Sequence, residues 1–187
     1  VMAEGLEVFM NATRYWPDSI FANYPGAPVS PVETLVVDGI PSHRHAHSYL
    51  LWWDDAWQGT MELTKPPSDE GLQRARLAIG MQGVLIQNGV PNYGGLGDVE
   101  VRFSRTFIGI DDAGLVYLMV FENVSGYEMI DTALALGVLN GGQLDSGNAS
   151  WMVIGGGAKG VRWHTGIRNL RPIAAYLGLR AQPLENK

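Results

Sequence analysis

Cysteine is absent from this chain of 187 residues, which excludes disulfide bonds, thiol catalysis and metal sites with sulfur ligands. No apolar run reaches the roughly 18 residues that a membrane-spanning helix requires, so we expect no membrane span. The first residues also lack a basic segment followed by an apolar one, and we expect a signal peptide to be absent or already removed. These absences leave the cellular compartment open.

Positive charge is scarce as well. The 13 Lys and Arg residues against 19 Asp and Glu give a net charge of −6, which argues against a nucleic-acid binder because such a protein needs a basic surface. Hydrophobic residues are plentiful at 46%, enough for one core, so we expect a single domain over residues 1–187. The 24 glycines exceed the average usage of about 7% and predict many tight turns.

Turn and cap signals predict the fold class. Asp38-Gly39 and Asn88-Gly89 each follow a short apolar run and are typical of hairpin turns. Residues 107–121 form the clearest hairpin, with apolar strands on either side of Asp-Asp-Ala-Gly. Ser68 can cap one helix, and Ser125 with Glu128 has the pattern of a capping box at the start of another. We therefore expect an α+β fold, with a mixed, mostly antiparallel sheet of hairpins and two or three packed helices.

The stretch from Leu139 to Val153 concentrates small and polar residues between an apolar helical run and an apolar strand. It holds one carboxylate, Asp145, together with the two asparagines Asn140 and Asn148, the two hydroxyls of Ser146 and Ser150, and three glycines. Backbone N–H groups in such a turn can form a concavity for an anion, and glycines let a ligand come close. An acid beside an anion-binding turn would suit hydrolysis of a phosphate-linked or sugar-linked substrate. The alternative is a plain polar turn.

Arg105 is the most unusual charged residue of the predicted strands. The alternation from Val101 to Thr106 places it on the apolar, inward face, which is costly unless the guanidinium is paired. Beside an acidic glycine-rich loop it would suit a phosphate clamp, because its planar fork matches phosphate oxygens. The alternative is a structural ion pair with Glu128 or Asp145, and Glu128 is itself explained by the capping box.

Two candidate binding residues follow the first predicted strand, Leu6 to Met10. Asn11 ends that strand, and Arg14 lies in the loop after it. Both could contact a substrate. The alternative is a surface turn in which Arg14 pairs with Asp18.

Three histidines, His43, His45 and His47, share one face of a predicted extended strand. Same-face neighbours on a strand lie about 6.5–7 Å apart, which is awkward for three ligands on one metal ion. A solvated strand face is therefore favoured over a metal site.

Several motifs resemble those of the phosphodiester glycosidase family. Residues 144–152 read Leu-Asp-Ser-Gly-Asn-Ala-Ser-Trp-Met, similar to the family's Leu-Asp-Gly-Gly-Gly-Ser-Ser/Ala-Thr-Met. Residues 104–111 resemble its Pro-Arg-Thr-Ala-Ile-Gly-Ile-Asp strand, and residues 125–137 its Thr/Ser-x-x-Glu helix ending in Leu-Gly. Residues 10–13 stand where the family has Ile-Asn-Gly-Gly, and residues 170–175 resemble its Arg-Pro-Val-Ala-Asn.

The motifs extend in order over almost the whole chain, from about Val8 to Leu179. Family glycines are replaced at some positions, which are Ala12, Thr13, Ser146 and Asn148, and the family's late asparagine is Ala175. Because the chain starts almost at the first motif, a segment upstream of it is also left open.

The resemblance implies a hydrolase that cleaves the glycosidic bond of a sugar-1-phosphodiester, N-acetylglucosamine-like, and releases a sugar and a phosphomonoester. Asp145 is the first expected catalytic carboxylate, and Glu128 or Asp111 the second. The expected substrate-binding residues are Arg105, Arg171, Asn11, Arg14, Asn140, Ser146, Gly147 and Asn148. Asp145, Arg105 and Arg171 should then converge on one cleft.

The implied partner is a carbohydrate or phosphoglycan substrate, with no nucleic acid. No cofactor is expected, with a divalent cation left open, and the resemblance alone favours an extracytoplasmic or secreted location. The competing hypothesis is a non-catalytic glycan- or phosphoglycan-binding module on the same fold. The replaced glycines motivate this alternative.

Overall fold

The structure is a computed structural model that describes residues 8–12, 14–17, 29–43, 49–56, 59–62, 68–155, 161–166 and 176–179. The strands of these parts are, in chain order, β1 Val8–Asn11, β2 Tyr15–Pro17, β3 Val29–Pro31, β4 Leu35–Val37, β5 Ile40–His43, β6 Tyr49–Trp53, β7 Gly59–Glu62, β8 Leu77–Met81, β9 Gly83–Gln87, β10 Val90–Pro91, β11 Phe103–Ile110, β12 Val116–Val124, β13 Asn140–Gln143, β14 Trp151–Gly155, β15 Val161–Gly166 and β16 Tyr176–Leu179. The helices are α1 Asp69–Arg74 and α2 Gly126–Ala135, with 3₁₀ turns at Tyr93–Gly95 and Gly147–Ala149.

The described strands form four separate sheets, and each strand pair among them is antiparallel. The central sheet has the order β10-β9-β13-β11-β12, and the terminal sheet has the order β15-β14-β1-β16. A third sheet, β5-β4-β8-β6-β7, and the two-stranded ribbon β2-β3 complete the set. The sheet-rich α+β class is as expected, but the prediction of one mixed sheet was wrong. Short apolar runs identify strands without saying which strands share a sheet.

Local turn and cap chemistry forms as the sequence predicts. In the β4–β5 turn the φ angles are 51° at Asp38 and 76° at Gly39, and in the β9–β10 turn they are 51° at Asn88 and 75° at Gly89. Two positive φ values in succession define the hairpin turn that suits the twist of paired strands. Ser68 caps α1 through a hydrogen bond from the Gly71 N–H.

β13 lies at the centre of the central sheet, where the sequence predicted a loop. It pairs with β11 on one side and β9 on the other. Its glycines are needed for packing: a Cβ at Gly141 would lie 2.2 Å from Phe107 Cζ, and one at Gly142 would lie 2.4 Å from the Gly83 carbonyl oxygen. These two glycines therefore leave the space that Phe107 and the Gly83 backbone occupy. The loop itself begins only after Gln143.

The central sheet separates two apolar clusters. On one face, Phe107 packs with Met129 and Ile130 of α2. On the other face, Ile108 packs with residues of the terminal and third sheets, among them Met10 and Leu51. Both ends of the polar stretch are thereby anchored in buried structure. No helix within the described ranges is long and apolar enough to cross a membrane.

Candidate active site

Asp145 emerges from the end of β13 and is buried, with 5% of its surface exposed. Its N–H donates to the Ala12 carbonyl at 3.0 Å, and its own carbonyl accepts from Asn11 Nδ2 at 2.6 Å. The carboxylate Oδ1 accepts from the Ser146 N–H at 3.0 Å. A buried carboxylate is costly unless it is hydrogen-bonded, so a fixed orientation of this group is part of the fold.

Asn11 holds this region together. Its side chain is fully buried, and besides bonding Asp145 it accepts from Thr106 Oγ1 at 2.9 Å and from the Trp151 N–H at 3.1 Å. Asn11 thus ties β1 to β11, to the start of β14 and to the acid. These contacts indicate a positioning role for Asn11.

The loop after Asp145 is held against β11 by two hydrogen bonds. Ser146 Oγ accepts from the Thr106 N–H at 3.4 Å, and Ser150 Oγ donates to the Ser104 carbonyl at 2.9 Å. Gly147 has a φ of +69° with open space where a Cβ would be, and Asn148 is exposed. Ser146, Gly147 and Asn148 therefore stand at the surface beside Asp145, accessible to a ligand.

Arg105 is buried, as its alternation predicts, and its five donors meet five protein acceptors. Nε donates to the Val124 carbonyl at 3.3 Å, and Nη2 donates to the carbonyls of Asp98 and Val101, each at 2.8 Å. Nη1 donates to Gln143 Oε1 at 2.7 Å and Asp98 Oδ1 at 3.4 Å. Burial lowers the pKa of Arg105, and the Asp98 carboxylate opposes this shift.

This geometry corrects the expected partners of Arg105. A guanidinium has five N–H donors, so a direct phosphate clamp would require protein bonds to be exchanged. Arg105 does form a structural ion pair, as the alternative predicted, but its carboxylate partner is Asp98 and not Glu128 or Asp145.

A cavity of about 290 Å³ lies at this end of the central sheet; its lining residues are Arg14, Gln82, Gly95, Leu96, Gly97 and Asp98. Two of them, Gln82 and Asp98, are joined beneath it by a buried polar chain: Gln143 Nε2 donates to Gln82 Oε1 at 3.0 Å, and Arg105 links Gln143 to Asp98. Gln143 and Arg105 are 2% and 0% exposed. The polar chain therefore fixes two walls of the cavity at once.

Arg14 forms another wall of the cavity. Its N–H donates to Glu33 Oε2 at 2.8 Å, and its Nε and Nη2 both lie 2.5 Å from Glu33 Oε1. The Arg14 side chain is 45% exposed, whereas that of Glu33 is 3% exposed. The sequence suggested Asp18 as the partner of Arg14; Asp18 lies outside the described residues, and the structure pairs Arg14 with Glu33.

Glu128 lies on the surface at the first turn of α2. It completes the capping box with Ser125 and forms an ion pair with Arg102 at 2.6 Å, with both side chains about half exposed. The hydrogen bond from Arg102, followed by those from Ser125, lowers the pKa of Glu128 to about 2. A carboxylate held ionised in this way is poorly suited to donate a proton, so the geometry favours a structural role.

Two other predicted site residues lie at the opposite end of the central sheet. Asp111 accepts from the N–H groups of Ala113 and Leu115 and organises the β11–β12 turn, about 20 Å along the strand from Arg105. Asn140 pairs with Ile110 at that same end and accepts from the Asn88 N–H. The structure therefore does not bring Asp111 and Asn140 to Asp145.

Some predictions fall on residues that the structure does not describe. Arg171 lies outside the described ranges, so its convergence with Asp145 stays a prediction. Of the three histidines, His43 ends β5, and His45 and His47 are outside those ranges. Within the described residues, no group of three or more His, Asp or Glu side chains is arranged to hold a metal ion.

Four polar residues around the cavity were missed by sequence reasoning: Gln82, Asp98, Gln143 and Glu33. Asp98 ends a glycine-rich segment to which the sequence assigned no site residue, and Gln143 belongs to β13, where the sequence predicted a turn. An inward arginine did signal that an acceptor was needed nearby. It could not signal which acceptor.

The model of the phosphodiester glycosidase family matches residues 21–180. The catalytic domain of zebrafish N-acetylglucosamine-1-phosphodiester alpha-N-acetylglucosaminidase, auto-inhibited by its pro-peptide, is similar in structure, with a TM-score of 0.72, 14% identity, and coverage of 95% of this chain and 64% of that one. A hypothetical protein from Synechocystis gives a TM-score of 0.62 at 13% identity, covering 81% of this chain and 48% of that one. This chain thus spans less than two thirds of either protein. No curated protein sequence matches it.

Proposed function

Because this chain belongs to the phosphodiester glycosidase family, we propose that it hydrolyses the glycosidic bond between a sugar and a phosphodiester. The observation that carries the proposal is the placement of Asp145. This carboxylate is buried and oriented, its N–H bonds to Ala12, and two residues beyond Ala12 the chain reaches Arg14 at the wall of an open cavity. An oriented acid, and a cation at a cavity wall two residues beyond the partner of that acid, suit the chemistry that the family name describes.

In the proposed reaction the bond between the anomeric carbon and the phosphate oxygen breaks. Its electron pair leaves with the phosphomonoester, and water supplies the hydroxyl of the released sugar. Glycoside cleavage passes through an oxocarbenium-like state that a carboxylate stabilises, as nucleophile or as base for the water. Asp145 takes that role. A phosphate leaves more readily than an alcohol, so one carboxylate suffices, which agrees with the structural roles of Glu128 and Asp111.

The phosphate requires positive or N–H-rich surroundings to stabilise the charge that it gains. Arg14 is the half-exposed guanidinium at the cavity, and its fork is suited to phosphate oxygens. Gly147 and Asn148 offer backbone N–H groups close to Asp145, whereas the Ser146 N–H is used by the Asp145 carboxylate. Arg171 stays a further candidate from the family motif, while Arg105 acts from beneath the cavity.

The test is hydrolysis of N-acetylglucosamine-1-phosphodiesters and related sugar phosphodiesters by the native chain and two variants. Asp145→Asn should remove turnover, and Arg14→Ala should raise KM for phosphodiesters more than for a neutral aryl glycoside of the same sugar. Asp112→Asn, on the exposed β11–β12 turn, is the matched control and should leave turnover unchanged. Unaltered turnover in folded Asp145→Asn would overturn the assignment.

A non-catalytic glycan-binding module is the second candidate. The replaced family glycines at Ala12, Thr13, Ser146 and Asn148 favour it, since side chains there change how closely a substrate approaches. Its expected result is saturable glycan binding by the native chain without hydrolysis of any sugar phosphodiester.

A further inference from the structure

The charges around the cavity are already balanced by neighbouring protein groups. Arg14 is paired with Glu33, and Asp98 is paired with Arg105. Among the residues that the structure describes, both charged side chains that line the cavity, Arg14 and Asp98, are thus members of an ion pair. Such a site binds a free anion weakly, because an anion that enters it is repelled by Asp98 as well as attracted by Arg14.

The size and chemistry of the cavity suit a small neutral polar ligand. Its volume of about 290 Å³ is near the lower limit of small-molecule pockets, about 300 Å³. Asp98, 46% exposed, offers carboxylate acceptors. Gln82 uses its Oε1 to accept from Gln143, which leaves its NH₂ group as a donor toward a ligand. Leu96 and the adjacent glycines add apolar and backbone surface.

We propose that this cavity is the subsite for the sugar ring, with Asp98 and Gln82 as the residues that select it by hydrogen bonds to its hydroxyl groups. The inference rests on the proposed function and divides the substrate between two places. The sugar occupies the charge-balanced cavity, and the phosphate lies toward Arg14 and the loop after Asp145.

In this arrangement Arg105 is a positioning residue that acts through Asp98. It binds the Asp98 carboxylate and carbonyl, and it also binds the Val101 carbonyl, so it fixes the wall that carries the acceptor. Through Gln143 it fixes the Gln82 amide as well. One buried guanidinium therefore sets the spacing between an acceptor and a donor for the sugar.

The test measures binding of free N-acetylglucosamine, glucose and inorganic phosphate to the full chain by calorimetry. We expect the native chain to bind a free sugar in preference to phosphate. Asp98→Asn should weaken sugar binding about tenfold or more, because it removes a hydrogen bond to a charged acceptor, and Gln82→Ala should weaken it about threefold to tenfold, because the lost hydrogen bond is neutral. Asp112→Asn should bind as the native chain does, and thermal melting checks that each variant is folded.

Three results would overturn the inference: no sugar binding by the native chain up to tens of millimolar, sugar binding unchanged in both variants, or phosphate binding that depends on Asp98. For Arg105, a double-mutant cycle distinguishes positioning from general stability. Asp98→Asn and Arg105→Lys together should weaken sugar binding by less than the sum of their separate effects, because they act on one contact. Additive effects would limit Arg105 to a structural role.

Failure of this inference is separable from failure of the proposed function. Hydrolysis that is insensitive to Asp98→Asn and Gln82→Ala would keep the activity and remove the sugar subsite. Sugar binding that depends on both residues, without hydrolysis of any phosphodiester, would keep the subsite and remove the activity.

Discussion

Replacing Arg105 with methionine tests whether this residue is primarily a buried structural centre. Methionine has a similar length and fits an apolar site, but it removes all five hydrogen bonds. Three main-chain carbonyls, those of Asp98, Val101 and Val124, would lose these bonds, together with Gln143 Oε1. The Asp98 side chain is half exposed, so water partly replaces the hydrogen bond that its carboxylate would lose.

The magnitude follows from these contacts. Removing one partner of a buried pair destabilises a protein by about 3–5 kcal/mol, and the exposure of Asp98 puts this case near the lower limit. In urea unfolding with an m-value of about 2 kcal/mol/M, a loss of about 3 kcal/mol lowers the midpoint by about 1.5 M. The reference variant is Arg102→Met, three residues earlier on the surface, which should lose less than about 1 kcal/mol.

The refuting result is equally specific. If Arg105 were mainly a ligand for phosphate, its replacement by an apolar residue would be neutral or stabilising while substrate binding disappeared. A midpoint for Arg105→Met equal to that of Arg102→Met would therefore contradict the structural role derived from the five contacts.

Two other predictions concern packing and pH. Gly142→Ala should lower the free energy of unfolding by about 1–3 kcal/mol, because its Cβ would meet a backbone oxygen. In the control Gly94→Ala the nearest atom is 3.8 Å away, so the free energy of unfolding should change by less than about 0.5 kcal/mol. Equal urea midpoints for the two variants would refute this packing argument. For Glu128, whose pKa is lowered from 4.5 to about 2, the stabilisation is present above about pH 4.5 and is lost as the pH falls towards 2. The difference in melting temperature between the native chain and Glu128→Gln should shrink over that range, and a constant difference would contradict the Arg102 and Ser125 contacts.

The features that the sequence predicted well depend on neighbours in the chain. Asp38-Gly39 and Asn88-Gly89 adopt positive φ because few other residue pairs can, and the Ser125–Glu128 capping box closes within four residues. Arg105 also follows from a local rule, since strand alternation alone puts its side chain inside.

The features that were missed depend on contacts distant in sequence. Asn140–Gln143 has the composition of a turn, and it becomes a strand because β9 and β11 leave a narrow slot between them that glycines fit. Gln143 is 38 residues from its partner Arg105, and Glu33 is 19 residues from Arg14. Asp98 is only seven residues from Arg105, but it lies on a loop whose path the sequence does not predict. Short-range patterns indicate that a buried charge needs a partner, but the tertiary fold selects it. The candidate site was therefore predicted at Asp145 and its loop, and largely missed at the cavity.

The pairing of β1 has a consequence for how the chain folds. Val8 pairs with both Ile154 and Leu179, so β1 is held between strands that follow it by more than 140 residues. Loops of this length must close before β1 gains a neighbour, and non-local pairing of this kind slows folding. During synthesis β1 therefore stays unpaired, as an exposed apolar segment. Its partners β14 and β16 can join only after the residues between β1 and these strands have left the ribosome, which makes chaperone protection of β1 an expected need of this fold.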